Sequence, residues 1–312
     1  MRYMPPITGD KSTTLNDVTH TVKYYEEPLS ITGVTNESYL EYDNTATYGI
    51  GDYVLLDDLK KYYRCAADGT TGKHPLENTD LWVDFGPINT FRMLASDEFI
   101  NNKTTGTDCV IVIDFSRKDT FAFVDADFIE VIITLVDNDT GQTLFNKEYK
   151  GRDYGSLNYS DFYYQEYKVL SRLVVDGMEW LPDATLTLTF TGGVSIGGLV
   201  SGNSSDLGVT LMGTSLKFED TSKVSVSPIT GTRSVLRYGN VRVIDCKLLM
   251  ETDQFNIIAN RIDAIIGKNI LWIPSSDDIF AELISIGYIE DFTLPIDSPR
   301  NVLTNAVVVG VL

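Results

Sequence analysis

Side chains suited to acid–base, nucleophilic or metal chemistry are few in this sequence. Two histidines, His20 and His74, and three cysteines, Cys65, Cys109 and Cys246, are spread over 312 residues. A zinc site needs thiolates or neutral imidazoles in close sets, and these five residues form none. A Ser-His-Asp triad would have to use His20, in a polar stretch, or His74, beside Pro75 in a turn-like loop. No nucleophile elbow or Cys-His signature accompanies either one, so both read as surface histidines. The cysteines read as small buried hydrophobes, with a Cys65–Cys109 bridge as the alternative. No P-loop or Gly-x-Gly-x-x-Gly stretch occurs. Gly192-Gly193 and Gly197-Gly198 flank Val194-Ser195-Ile196, but no helix comes after them to offer its N-terminus to phosphate; the run reads as a flexible loop. The expectation is a non-enzymatic protein with no catalytic residues, no metal and no cofactor.

The acidic residues outnumber the basic ones, 44 against 25, for a net charge of −19. Such a chain has no electrostatic footing on nucleic acid or an anionic membrane. Paired carboxylates, as glycosidases use, arise by chance in any chain this acidic. Asp137-Asn138-Asp139-Thr140-Gly141 opens like a calcium loop, but Gln142 stands where the loop glycine belongs, so it reads as a hairpin turn. Asp125, Asp127 and Glu130 form an alternative site for an adventitious Ca²⁺. Aromatic density is more distinctive: Tyr149, Tyr154, Tyr159, Phe162, Tyr163, Tyr164 and Tyr167 fall within nineteen positions. Tyrosine offers a flat face and a hydroxyl at low entropic cost, which suits protein interfaces and sugar stacking alike. Tyr62, Tyr63, Tyr154, Tyr159, Tyr163 and Tyr164 are the candidate glycan or interface contacts.

The elements that must position these residues are mainly strands. Residues 1–37 are polar and Thr-rich, with Pro5-Pro6, Gly9 and Pro28, and read as an extended arm that is either disordered or ordered on a neighbouring subunit. Residues 38–88 read as a small three-stranded β unit: Asp52–Leu56, Lys61–Ala66 and Leu81–Gly86. Residues 89–218 carry the strongest strand signals, including Cys109–Phe115, Phe128–Val136 and the alternating Thr185–Phe190. They predict a jelly-roll-like β-sandwich. Residues 219–312 predict an α+β domain with one helix near 252–267. Thr252 is its N-cap, Phe255, Ile258, Ile262 and Ile265 its apolar stripe, and Gly267 its stop. The start of the chain has no apolar run of signal-peptide type, and no stretch approaches the ~18 apolar residues of a membrane helix.

Residues 47–86 resemble the small chitin-binding-like carbohydrate-binding modules: Tyr48, Gly51-Asp52-x-Val54, Tyr62-Tyr63-Arg64, Pro75 and Trp82. In such modules the Gly-Asp turn and the later tryptophan are structural, and ligand stacks on aromatics just after the central Tyr strand. This sequence has Cys65-Ala66-Ala67 there. The continuation Trp82-x-Asp84-x-Gly86-Pro87-x-Asn89-x-x-x-Met93 resembles a segment of structural tail proteins of tailed bacteriophages, where a similar module precedes a jelly-roll-like domain. Leu271-Trp272-Ile273-Pro274, Gly287–Phe292 and the terminal β-run are similar to the ends of such chains. The resemblance implies a virion component of the tail tip, baseplate or fibre-attachment region, assembled in the host cytoplasm. Its partners would be other tail proteins and further copies of itself. The alternative is a receptor-binding protein that recognises bacterial surface polysaccharide.

Overall fold

The computed structural model describes residues 1–5, 10–95, 103–153, 168–220, 222–226, 233–236, 240–275, 277–295 and 301–311. The chain is mainly β and divides into two units, Pro6–Gly202 and Met1–Pro5 together with Asn203–Leu312. The boundary expected at 218 falls instead at Gly202.

In the first unit the strand Thr104–Asp114 organises a sandwich. One edge pairs with Ala184–Thr191 and then Gly193–Ile196, and the other edge pairs with Pro28–Val34. Glu130–Asp137 and Thr143–Lys150 complete a six-stranded antiparallel sheet. Alternation builds its inner face: Val131, Ile133 and Leu135 point inward from one strand, and Leu186, Leu188 and Phe190 from the next, where threonines alternate with them. Opposite lies a three-stranded sheet in which Thr120–Val124 runs between Leu173–Val175 and Gly198–Gly202. Phe123, Phe128 and Phe190 meet edge to face across the gap, with centroids 5.3 and 5.7 Å apart along the chain of contacts. The expected flexible loop around Gly192–Gly198 is instead two strands that carry the chain from one sheet to the other. Burial of Val194, Ile196, Leu199 and Val200 fixes it.

Residues 1–37, expected as an extended arm, are distributed over both units. Arg2–Met4 pairs with Ile270–Ile273, and Pro28–Val34 pairs with Thr104–Asp114. Lys11–Leu15 and Val18–Val22 form a hairpin whose central residues Asn16 and Asp17 both have positive φ, as a tight primed turn requires. Tyr24 and Tyr25 are fully buried. A few apolar residues in a polar stretch show no local period; only long-range pairing covers them.

The Trp82–Met93 segment joins the small module to the sandwich, and its quoted residues each hold something. Trp82 is 2 % exposed and donates its indole N–H to the Lys73 carbonyl (2.8 Å). Asp84 pairs with the buried Lys61 (2.8 Å) and accepts the Gly86 N–H (2.8 Å). Gly86 takes a φ of +94°, which favours glycine. Buried Asn89 donates to the carbonyls of Thr35 (2.9 Å) and Thr105 (2.8 Å) and accepts the Thr105 N–H (2.9 Å). Met93 lies fully buried in the sandwich core.

In the second unit the sheet order is Ser205–Asp206, Arg2–Met4, Ile270–Ile273, Ser285–Thr293, Asn301–Gly310, Asn240–Glu251, Val209–Thr210. Its first and last members are parts of one segment, separated by Leu207 and Gly208 alone. The sheet therefore curls until residues 205–210 bridge its two edges. Gly208, at φ +133°, makes the switch; a Cβ there would lie 2.6 Å from the Leu249 carbonyl oxygen. Ser215–Asp220 also pairs along Asn240–Glu251. The helix Phe255–Ile265 presses Ile258, Ile262 and Ile265 against Trp272, Leu248 and Val308. Thr252 is not its N-cap: it begins a 3₁₀ turn, Thr252–Gln254, that leads into the helix, and neither start carries a side-chain cap bond. Gly267 comes just after the helix at φ +74°. Among the described residues no helix is long and apolar enough to cross a membrane.

Candidate functional site: the outer face of the small module

The small module has a four-stranded sheet where the sequence predicted three strands, and a separate two-stranded pair, Thr47–Tyr48 with Thr70–Thr71. Trp82–Pro87, Lys61–Cys65 and Tyr53–Leu56 are antiparallel, and Leu40–Glu41 adds a short parallel edge. Two-residue alternation sorts its side chains. Val54, Leu56, Tyr63, Cys65 and Trp82 build the inner cluster. Tyr53, Tyr62 and Phe85 point the other way, where Tyr39 joins them.

The outer rings form one array. Tyr39 stacks on Tyr53 at 4.8 Å and 19°, and sits 5.3 Å from Tyr62. Phe85 contacts Tyr53 edge-on at 5.4 Å and Tyr62 at 5.5 Å. Tyr62 is the floor, 4 % exposed, and its hydroxyl accepts from the Arg92 guanidinium (3.1 Å), which also pairs with Glu37. Phe85 and Val83 stand at the surface, 37 % and 50 % exposed, and the Arg64 guanidinium lies 5.9 Å from the Tyr53 ring centre. Burial pushes the Tyr39 hydroxyl above its ordinary pKa, and neighbouring Tyr62, Tyr53 and Glu37 add to that. The phenol therefore stays protonated, able to donate and accept. The array offers flat apolar area rimmed by hydrogen-bonding groups, which is recognition chemistry.

The predicted tyrosines separate accordingly. Tyr62 belongs to the outer array and Tyr63, its neighbour in sequence, to the inner core. Tyr154, Tyr159, Tyr163 and Tyr164 lie outside the described residues. Sequence reading missed Tyr39, Tyr53 and Phe85. For Tyr53 the signal was present: it alternates with the inward Val54.

Other candidate groups are occupied or inert. Cys65, Cys109 and Cys246 are free and buried, so no Cys65–Cys109 bridge forms. Burial pushes the Cys109 thiol up to about 11 and the Cys246 thiol up to about 12, which leaves both protonated. Asp125 pairs with Lys103 (2.8 Å), and Asp127 takes a bidentate Arg152 (2.8 Å to each oxygen), so protein cations already hold two of the three carboxylates of the alternative Ca²⁺ site. Asp137 closes its hairpin turn through the Asp139 N–H (3.0 Å) and the Thr140 hydroxyl (2.6 Å). Among the described residues no group of three or more His, Cys, Asp or Glu could hold a metal. His74, expected at the surface, is half-buried, edge-on to Tyr42 at 4.9 Å. The second unit carries a cavity of about 820 Å³ walled by Val209, Leu211, Met212, Phe280 and Leu283.

No protein-family model matches the chain, and no curated protein matches it.

Proposed function

We propose that this chain is a non-enzymatic structural component of a bacteriophage tail, connecting tail, baseplate or fibre proteins through protein–protein contacts. The observation that carries the reading is the module's outer face. A four-stranded sheet, joined to the sandwich through Asn89, presents Phe85 and Val83 at its surface with Tyr53 half-buried beside them. Aromatic anchors on rigid elements are the usual centres of interface energy. The resemblance of Trp82–Met93 and of the Trp272 and Tyr288 segments to phage tail proteins supplies the context: a position in the virion tail, other tail proteins and further copies as partners, and no nucleic acid or membrane insertion. A Tyr53→Ala/Phe85→Ser double variant tests it. The variant is expected to fold, because both side chains lie outside the inner cluster, and to be lost from assembled particles. Normal incorporation of the folded variant overturns the reading.

A second reading, recognition of bacterial surface polysaccharide, is favoured by the pairing of stacked rings with Arg64 and the Tyr39 hydroxyl on that same face. Purified host surface polysaccharide that binds the intact chain, and fails to bind the double variant, would establish it.

A further inference from the structure

The hairpin Lys11–Val22 lies against the small module, where its Thr13 lines one cavity together with His74. The hairpin is fixed by two hydrogen bonds to module carboxylates: the Thr13 hydroxyl donates to Asp58 (3.1 Å), and the Asn16 amide donates to Glu77. Two cavities line this seam. One, of about 130 Å³, is bounded by Thr13, Glu41, Tyr42, Asp57, Asp58 and His74. The other, of about 460 Å³, places His20 of the hairpin over Tyr63, Leu76 and Trp82. The seam therefore combines open space and polar contacts at the hairpin's body with apolar packing of its last residue, Val22, against the module's inner cluster.

His74 is built into this seam in its neutral form. Its Nδ1 accepts the Leu76 N–H (3.3 Å), a bond that a protonated ring nitrogen cannot make. Its carbonyl accepts the Glu77 and Asn78 N–H groups (3.1 Å each), so the ring sits at the root of the turn that covers Trp82.

We propose that the hairpin Lys11–Val22 is an acid-released flap over the module, with His74 as the group that releases it. Protonation ends the Leu76 bond and sets a cation beside Asp58, one of the carboxylates that hold the hairpin. The charged groups around the ring determine how the hairpin responds. Asp57 is paired with Lys60, Asp58 and Glu77 hold the hairpin, Glu41 lines the same cavity, and Lys73 adjoins in sequence. From the hairpin side come His20, Lys11, which pairs with Glu27, and the exposed turn residue Asp17. An imidazolium turned toward Asp58 or Glu77 competes with Thr13 and Asn16 for the carboxylates that hold the flap. Capture by the carboxylates loosens the hairpin. Burial, the largest influence on His74, and His20 both favour the neutral ring, against Glu77.

Hydrogen exchange on the full chain tests the flap. Protection of residues 11–22, corrected for intrinsic rates, is expected to fall at least about tenfold between about pH 7.5 and about pH 5.5, while Thr104–Asp114 keeps its protection. In His74→Gln the pH dependence should disappear. Unchanged protection in the parent chain, or an undiminished pH response in the variant, overturns the proposal. Should His74→Gln fail to fold, the His74 ring is titrated by NMR in the parent chain. A midpoint that coincides with the loss of protection supports the flap, and one that does not rejects it.

Discussion

Glu26 and Lys118 are 7 % and 5 % exposed and meet at 2.5 Å, with Ser201 also donating to Glu26. The pair fastens the N-terminal segment to the sandwich. Removing one partner leaves a buried charge without compensation, so Glu26→Ala should cost about 3–5 kcal/mol in urea denaturation. A double Glu26→Leu/Lys118→Met replacement should cost much less, because no ion then remains buried; equal losses would show that packing, not charge, explains the effect. Trp82→Ala should cost about 3–5 kcal/mol, the usual loss for a core indole. Glycan affinity lost at full stability would contradict that structural role. His74 links the module's stability to pH. Its folded pKa lies below the 6.5 of an unburied ring, chiefly through burial. Above about pH 6.5 both states hold the ring neutral and no penalty arises. As pH falls below that value, the unfolded chain binds the proton first and the folded module loses stability. Denaturation curves at successive pH values should show this decline, and His74→Gln should flatten it.

Among the elements, the edge strand Pro28–Val34 shows how two glycines set a register. Gly33 has φ +75°, and a Cβ there would sit 2.6 Å from the carbonyl oxygens of Thr107 and Asp108; a Cβ on Gly106 would meet the Gly33 carbonyl oxygen at 2.5 Å. The two backbones approach too closely for any side chain, and the pairing shifts register there. Gly33→Ala should therefore destabilise the sandwich by more than about 1 kcal/mol and loosen residues 28–34 before the strands behind them, as hydrogen exchange would show. The helix Phe255–Ile265 obeys simpler rules. Its stripe at three- and four-residue spacing points at the sheet, and Ile262→Ala should cost about 2–5 kcal/mol.

For the whole molecule, the decisive feature is that Met1–Pro5 belongs with Asn203–Leu312. Tyr3 packs on Trp272 at 5.9 Å, while the other two tryptophans, Trp82 and Trp180, lie in the Pro6–Gly202 unit. Deleting residues 1–5 should lower the unfolding temperature reported by Trp272 and leave that reported by Trp82 unchanged. A common shift would mean that the two units unfold as one. Much of this architecture was legible in the residues. Alternation in Thr185–Phe190, the apolar runs 109–115 and 128–136 and the helical stripe from Phe255 depend on local periodicity, which burial on one face imposes and any window of sequence retains. Trp82 was legible too, as a large indole in a small aromatic unit. The assignment of residues 1–37 was not, because Tyr3 and Met4 are covered by the distant strand Ile270–Ile273, and Tyr24 and Tyr25 by Phe91 and Leu94, all far outside any local window. The candidate site shared that fate. Tyr62 and Tyr63 look alike in sequence, and the choice of which faces out rests on the register of Lys61–Cys65 against its neighbours. Tyr39 lies outside any strand, just before the two-residue strand Leu40–Glu41, where no period can show. Local pattern determined the elements; which faces were left uncovered was decided by long-range pairing, since burial of any one face depends on what the rest of the chain brings to it.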